Sequence, residues 1–189
     1  MTSFRVVGTT TRMETAFLAV EEADVEGPDG DRFTRSVIRH PGAVAVVPVE
    51  ADGEHVILVR QFRAALADDV LEAPAGKRDV ADEPPAVTAR RELEEEIGYR
   101  AGRLILLCSF YNSPGFTDEY THTYCALDLE ELSERHAVTH EEASMTIERI
   151  ALSDLDELIA SGALADAKSI IGLLLTRQYL AGELAGEEC

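Results

Sequence analysis

In the stretch Gly76 to Tyr99, GKRDVADEPPAVTARRELEEEIGY, the glutamates Glu92, Glu95 and Glu96 stand at i, i+3 and i+4 and share one face of a predicted helix. Carboxylates in that pattern suit a hard divalent cation such as Mg2+, which takes oxygen ligands. Without an ion the arrangement is locally unfavourable. Glu92 and Glu96 are like charges one turn apart, and the acids crowd the negative end of the helix dipole, each effect costing on the order of 0.3–1 kcal/mol. The competing interpretation is an acidic, solvated helix face with Arg91 paired to Glu95 one turn on. The helix itself is well marked. Asp82 or Glu83 can accept from the first free amides, Pro84 and Pro85 sit where a missing N–H costs nothing, and Gly98 supplies the stop. Ala86, Ala89, Leu93 and Ile97 recur at helical spacing as an apolar stripe for the core.

The whole spacing resembles the Nudix box, G-x5-E-x7-R-E-U-x-E-E-x-G-U with U a bulky apolar residue. Gly76, Glu83, Arg91, Glu92, Leu93, Glu95, Glu96, Gly98 and Tyr99 occupy its fixed positions. One departure lies in the loop before the helix, where six residues rather than five separate Gly76 from Glu83. It bears on Glu83 more than on the glutamates that follow. The resemblance implies an α/β chain with the Nudix fold, an α/β/α sandwich around a mixed sheet, and hydrolysis of a pyrophosphate bond. It implies Mg2+, with Mn2+ as the alternative ion, held by Glu92, Glu95 and Glu96 with the backbone carbonyl of Ala75. Pro114, fifteen residues beyond Tyr99, resembles the downstream proline of the ADP-ribose pyrophosphatase branch. Together with VRQFR and LEAPAG it directs the expectation to ADP-ribose or a related nucleoside diphosphate sugar, split into AMP and ribose 5-phosphate, with Pro114 at the substrate site. The alternatives are a Nudix hydrolase for an oxidised dNTP, NADH or a coenzyme A derivative, and a nucleotide-sugar sensor that has lost catalysis. Intact box acids, and a strongly acidic chain with no basic helix-turn-helix segment, favour the enzyme.

Hydrolysing a pyrophosphate at neutral pH requires charge neutralisation on the bridging and leaving oxygens and an oriented water or hydroxide. The box contains no histidine to serve as general base. The resemblance places that role on a glutamate in the loop before the strand leading to the C-terminal helices, here Glu142 first and Glu141 second. Arg63 and Glu72, just before the box, are candidates for substrate recognition. Arg60 is the weaker candidate, since alternation along a strand keeps residues 60 and 63 out of one pocket.

These residues need a scaffold, and the chain has one. At 189 residues and 46% hydrophobic content it is long enough to bury a real core. Its formal charge of −19 opposes a nucleic acid backbone or an anionic membrane surface. With no signal peptide, no apolar run of spanning length and three cysteines without ligand or redox spacing, the expected location is cytoplasmic. Cys108 and Cys125 are expected in the core.

Residues 1–40 contain the β-like segments RVV, METAFLAVEE and RFTRSVIRH, with a turn at GPDGD, and too few apolar residues for a core of their own. They are expected to form an N-terminal β segment, which the resemblance places across a homodimer, ahead of a Nudix domain at 41–189. In that domain AVAVVPV and VILVRQF are predicted buried strands around a turn at Ala51 to Glu54. Further strands are expected at Leu104 to Phe110, Tyr120 to Leu129 and MTIERIAL. Helices are expected from Ser153 and over Asp166 to Leu180, the last burying Ile170, Ile171, Leu174 and Leu175 in a structural role.

Overall fold

The computed structural model describes residues 3–133 and 144–189. They divide into two compact units, the first made of the chain up to Gly42 together with Phe110–Tyr120, the second of Ala43–Ser109 and Thr121–Cys189.

The first unit is an antiparallel meander of β1 (Arg5–Glu14), β2 (Ala19–Glu26) and β3 (Arg32–Arg39). The GPDGD turn forms as expected, with the Gly27 amide donating to the Asp31 carbonyl at 2.8 Å and Gly30 at φ 83°. METAFLAVEE is not one strand. Thr15 and Leu18 close a turn inside it, the Thr15 amide donating to the Leu18 carbonyl at 2.9 Å and the Leu18 amide to the Thr15 hydroxyl at 3.1 Å. A hydroxyl that satisfies the backbone locally outcompetes an unbroken ladder there. The Ser113–Thr117 turn is held to β3 in this unit through the Ile38 amide and the Phe116 carbonyl.

The second unit is a layered α/β structure. Its larger sheet is mixed and contains β11 (Glu187–Glu188), β8 (Tyr99–Tyr111), β9 (Tyr120–Glu131), β4 (Ala43–Pro48) and β7 (Ala75–Lys77), in that order. β4 pairs parallel to β9 and antiparallel to β7. A smaller antiparallel sheet sets β5 (His55–Arg63) between β10 (Thr146–Ala151) and β6 (Asp68–Glu72). The helices are α1 (Pro85–Glu92), α2 (Leu155–Ser161) and α3 (Ala167–Leu180).

β4 is buried throughout, and alternation along it builds two cores. Val44 and Val46 meet Ala89, Leu93 and Ile97 of the box helix. Val47 and Val49 meet Leu155, Leu164 and Leu173 beneath α2 and α3. This is the α/β/α sandwich that the resemblance to the Nudix box implies.

Helix starts differ from expectation. Ser153 lies in a short 3-10 turn, Leu152–Asp154, and α2 begins one residue beyond it without a side-chain cap. In α3 the buried residues are Ser169, Gly172, Leu173 and Thr176, whereas Ile170, Ile171, Leu174 and Leu175, expected to be buried, are only half-buried. Close packing explains the shift, because a Cβ at Gly172 would lie 3.0 Å from both Thr123 Cγ2 and Val47 Cγ2. Small residues let the helix sit against the sheet.

Candidate active site

The box folds as a strand, a loop and a helix. α1 starts after Pro84, and neither Asp82 nor Glu83 caps it. Pro85 has no N–H and the Val87 amide already donates to the Pro84 carbonyl at 2.9 Å, so little is left for a side-chain cap to satisfy. Glu83 is used elsewhere, accepting from the Thr88 hydroxyl at 2.6 Å and from Arg91 Nη2 at 3.4 Å. The Thr88 bond foremost, and Arg91 after it, hold its carboxyl below the ordinary range against partial desolvation. Beyond Glu92 the chain makes one π-helical turn, Leu93–Ile97, in place of the expected α-turn, and Gly98 ends it at φ 72°. Such turns accompany functional sites because they re-aim side chains relative to α spacing.

Glu92 and Glu96 are 8% and 3% exposed, and Glu95 is half-buried. Glu96 Oε2 accepts from the Ala75 amide at 3.0 Å, which ties the helix to the start of β7. The Glu92 carboxylate packs on Gly76, where a Cβ would fall 2.0 Å from Glu92 Cδ and 2.1 Å from Oε1. Any side chain at this position would displace the Glu92 carboxylate, so the constraint comes from a box glutamate directly. Arg91 gathers the acids: Nη1 stands 2.9 Å from Glu92 Oε1 and 3.2 Å from Glu95 Oε2. The expected i, i+4 pair is therefore one arm of a wider network. It offsets part of the repulsion between acids at the negative helix end.

Arg63 and Glu72 also come together in this unit. Their side chains share one face of the smaller sheet and pair bidentately, Nε to Oε1 at 2.6 Å and Nη2 to Oε2 at 2.7 Å. Burial alone would push the Glu72 carboxyl up, but Arg63 and Lys168 outweigh it and hold the group below its ordinary value. Lys168 Nζ contacts Glu72 Oε2 and lies 3.0 Å from Asp166 Oδ2. Asp166 caps α3 by accepting from the Ser169 amide at 3.0 Å. The Ser169 hydroxyl in turn accepts from the Ala73 amide at 2.7 Å. The start of α3 thus binds the segment that leads into the box. Sequence reasoning missed Lys168 and Asp166; the available signal was a lysine in the first turn of a helix, where its charge opposes the dipole. Gln61, two residues before Arg63, is 5% exposed, and its Nε2 has no hydrogen-bond partner among the described residues. Its signal is a polar residue inside an apolar strand.

Arg60 turns away from this group, as alternation requires, and pairs with Glu148 on β10 through Nε at 2.5 Å. Pro114 lies in the first unit, exposed on the Ser113–Thr117 turn. Glu141 and Glu142 fall outside the described residues. Another acidic group, Glu50, Asp52 and His55, has ligand atoms within 4.8 Å of one another beside a cavity of about 320 Å³ lined by Tyr99, Ile57 and Leu129. Arg149 pairs with both Glu50 and Asp52, and His55 Nδ1 lies 2.8 Å from Asp52 Oδ2. These contacts bind the β4–β5 turn to β10.

Comparison with known proteins agrees with this geometry. The NUDIX domain family matches residues 39–171. The chain belongs to the Nudix family. This Nudix protein is 41% identical over 157 residues to an ADP-ribose pyrophosphatase of Bacillus subtilis, an alignment covering 83% of this chain and 81% of the relative. It is 34% identical to an ADP-ribose pyrophosphatase of Mycobacterium tuberculosis over 95% and 86% of the two chains. A crystal structure of an ADP compounds hydrolase superposes with a TM-score of 0.83, covering 97% of each chain at 23% identity, which establishes the shared fold.

Nudix hydrolases use a divalent metal, and the donor set here fits one. Glu83, Glu92 and Glu95 converge on a single guanidinium, and Glu96 lies buried one turn on, so several carboxylate oxygens are gathered in one largely desolvated place. Oxygen donors of this kind match Mg2+ or Mn2+. No helix among the described residues is long and apolar enough to cross a membrane.

Proposed function

We propose that this Nudix protein hydrolyses the pyrophosphate bond of ADP-ribose, or of a related nucleoside diphosphate sugar, to AMP and ribose 5-phosphate. The observation that carries the reading is the buried pair Glu92 and Glu96, fixed against Gly76 and the Ala75 amide at the end of the box helix. The named activities of the Bacillus and Mycobacterium relatives support the substrate class. Glu92, Glu95 and Glu96, with the Ala75 carbonyl, would hold Mg2+ or Mn2+. When bound, the ion supplies charge neutralisation on the phosphates and acidifies a water.

The chain's own residues do the rest. Arg91 keeps the carboxylates oriented, Gly76 leaves room for Glu92, and Arg63 offers a cation to an anionic substrate. We assign the general base to Glu142, with Glu141 second. Glu142→Gln should lower kcat far more than it raises KM, and an unchanged kcat would pass the role to Glu141 or to neither. Cytoplasmic location, no nucleic acid partner and a homodimer built through residues 1–40 complete the proposal. Apolar side chains left exposed on the meander, among them Phe4, Val6 and Met13, support the dimer. Removing residues 1–40 should leave a monomer or an insoluble chain; an active, well-behaved dimer without them would contradict it.

The substrate is tested by incubating the protein with Mg2+ and a panel of ADP-ribose, GDP-mannose, NADH, a coenzyme A ester and an oxidised dNTP, with products separated by chromatography. AMP and ribose 5-phosphate from ADP-ribose as the fastest reaction is the expected result. Preference for a dNTP or NADH would keep the metal site and discard the substrate.

A further inference from the structure

We infer that Lys168 and Glu72 are positioning residues that hold Arg63 in a single pose toward the anionic substrate, an inference that rests on the pyrophosphatase reading above. Glu72 is poorly placed to be a substrate ligand itself. It is 2% exposed, and both oxygens are engaged: Oε1 takes Arg63 Nε, while Oε2 takes Arg63 Nη2 and Lys168 Nζ. A carboxylate that already accepts three charge-assisted hydrogen bonds has little capacity left, and its charge would repel a phosphate.

Arg63 is differently placed. Its side chain is 40% exposed, its Nε and Nη2 edge is locked by Glu72, and Nη1 has no hydrogen-bond partner among the described residues. It lies close enough to Glu96 to feel that carboxylate's charge. A guanidinium clamped along one edge, with donors remaining on the other, is preorganised for binding an anion, because its rotamer freedom is already spent.

Lys168 makes the clamp work. Its side chain is 13% exposed and its ammonium is enclosed between Glu72 and Asp166, so it does not serve as a solvated surface cation. It sits in the first turn of α3, at the positive end of the dipole, where a cation is disfavoured unless carboxylates compensate it. The charges of Arg63, Lys168, Glu72 and Asp166 sum to zero. Without Lys168 the uncompensated carboxylates would drain the field that Arg63 presents, and Glu72 would lose its anchor on the helix.

The test is a double-mutant cycle on the full chain with Lys168→Met and Arg63→Gln, read as KM and kcat for Mg2+-dependent ADP-ribose hydrolysis. Lys168→Met should raise KM about tenfold with kcat within about twofold, as expected for a charged hydrogen bond lost one step from the substrate. In the Arg63→Gln background it should add nothing, and Lys168→Arg should restore most of the affinity. If Lys168→Met does not fold, as judged by circular dichroism, Glu72→Gln replaces it in the same cycle with the same expectation. An unchanged KM, or penalties that multiply in the double variant, overturns the inference. Wild-type protein that hydrolyses no nucleoside diphosphate sugar removes the underlying reading and this inference with it; an active wild type with an uncoupled cycle removes the inference alone.

Discussion

α1 and α3 cover β4 from opposite sides, and each carries charge at the wrong end of its dipole. In the box helix the acids Glu92, Glu95 and Glu96 gather at the negative C-terminal end, where Arg91 compensates them. In α3, Lys168 stands at the positive N-terminal end, where Asp166 and Glu72 compensate it. Both placements are locally unfavourable, and both are compensated by ion pairs. The helices differ in the reach of that compensation. Arg91 lies on the same helix as the acids it compensates, whereas Glu72 is 96 residues from Lys168.

The largest effect is expected on the α1 side. Gly76→Ala should displace the Glu92 carboxylate, since the added methyl would lie 2.0 Å from Glu92 Cδ. The account expects a loss of kcat on the order of 100-fold and a stability cost of about 1–3 kcal/mol, typical of forced overpacking. Wild-type rates in this variant would mean that Glu92 is not held where its role requires.

A smaller effect is expected on the α3 side, and it depends on pH. The Glu72 carboxyl is below its ordinary value of 4.5 in the folded protein. As pH falls the unfolded chain therefore takes up this proton first. The stabilisation is complete above the ordinary value and is lost as pH drops through the folded one. Glu72→Gln should accordingly lower the urea midpoint at pH 7 and flatten its decline towards pH 4; parallel curves for the two proteins would contradict the pairing.

The smallest expected change concerns Arg60. Because it is committed to Glu148, Arg60→Gln should leave KM within about twofold, against a much larger rise for Arg63→Gln. Equal effects of the two substitutions would put both arginines in the substrate site. Thiol reactivity sharpens the same picture without altering it. Cys189 is exposed, whereas burial pushes the Cys125 thiol up to about 12 in the core beneath α3. Native protein should titrate at Cys189 promptly and at Cys125 only on unfolding, and faster modification of Cys125 in Lys168→Met would report a loosened α3.

The same contrast explains what the sequence could reveal. The box was legible because its determinants are local: a glycine stop at Gly98, an apolar stripe at Ala89, Leu93 and Ile97, and acids at fixed intervals. Buried strands such as β4 and β5 were legible from their apolar runs. The π-helical turn was not, since nothing in Leu93–Ile97 distinguishes it from α until the strand beyond Gly98 fixes the path. Nor was the role of Gly76, which depends on where Glu92 lands, or of Lys168, which looks like an ordinary surface lysine until β6 delivers Glu72 beneath it. In METAFLAVEE, continuous strand-like composition concealed a turn that one threonine hydroxyl closes.

The most direct test of the account is phosphate release from ADP-ribose, coupled to a phosphatase that attacks monoesters only, for wild type and Glu96→Gln with and without Mg2+. Glutamine can still accept from the Ala75 amide, so the fold should survive the change. The account predicts rapid, Mg2+-dependent release by wild type and a loss on the order of 100-fold or more in the variant. Release by Glu96→Gln within a few-fold of wild type would contradict the assignment of the box glutamates as the centre of the chemistry.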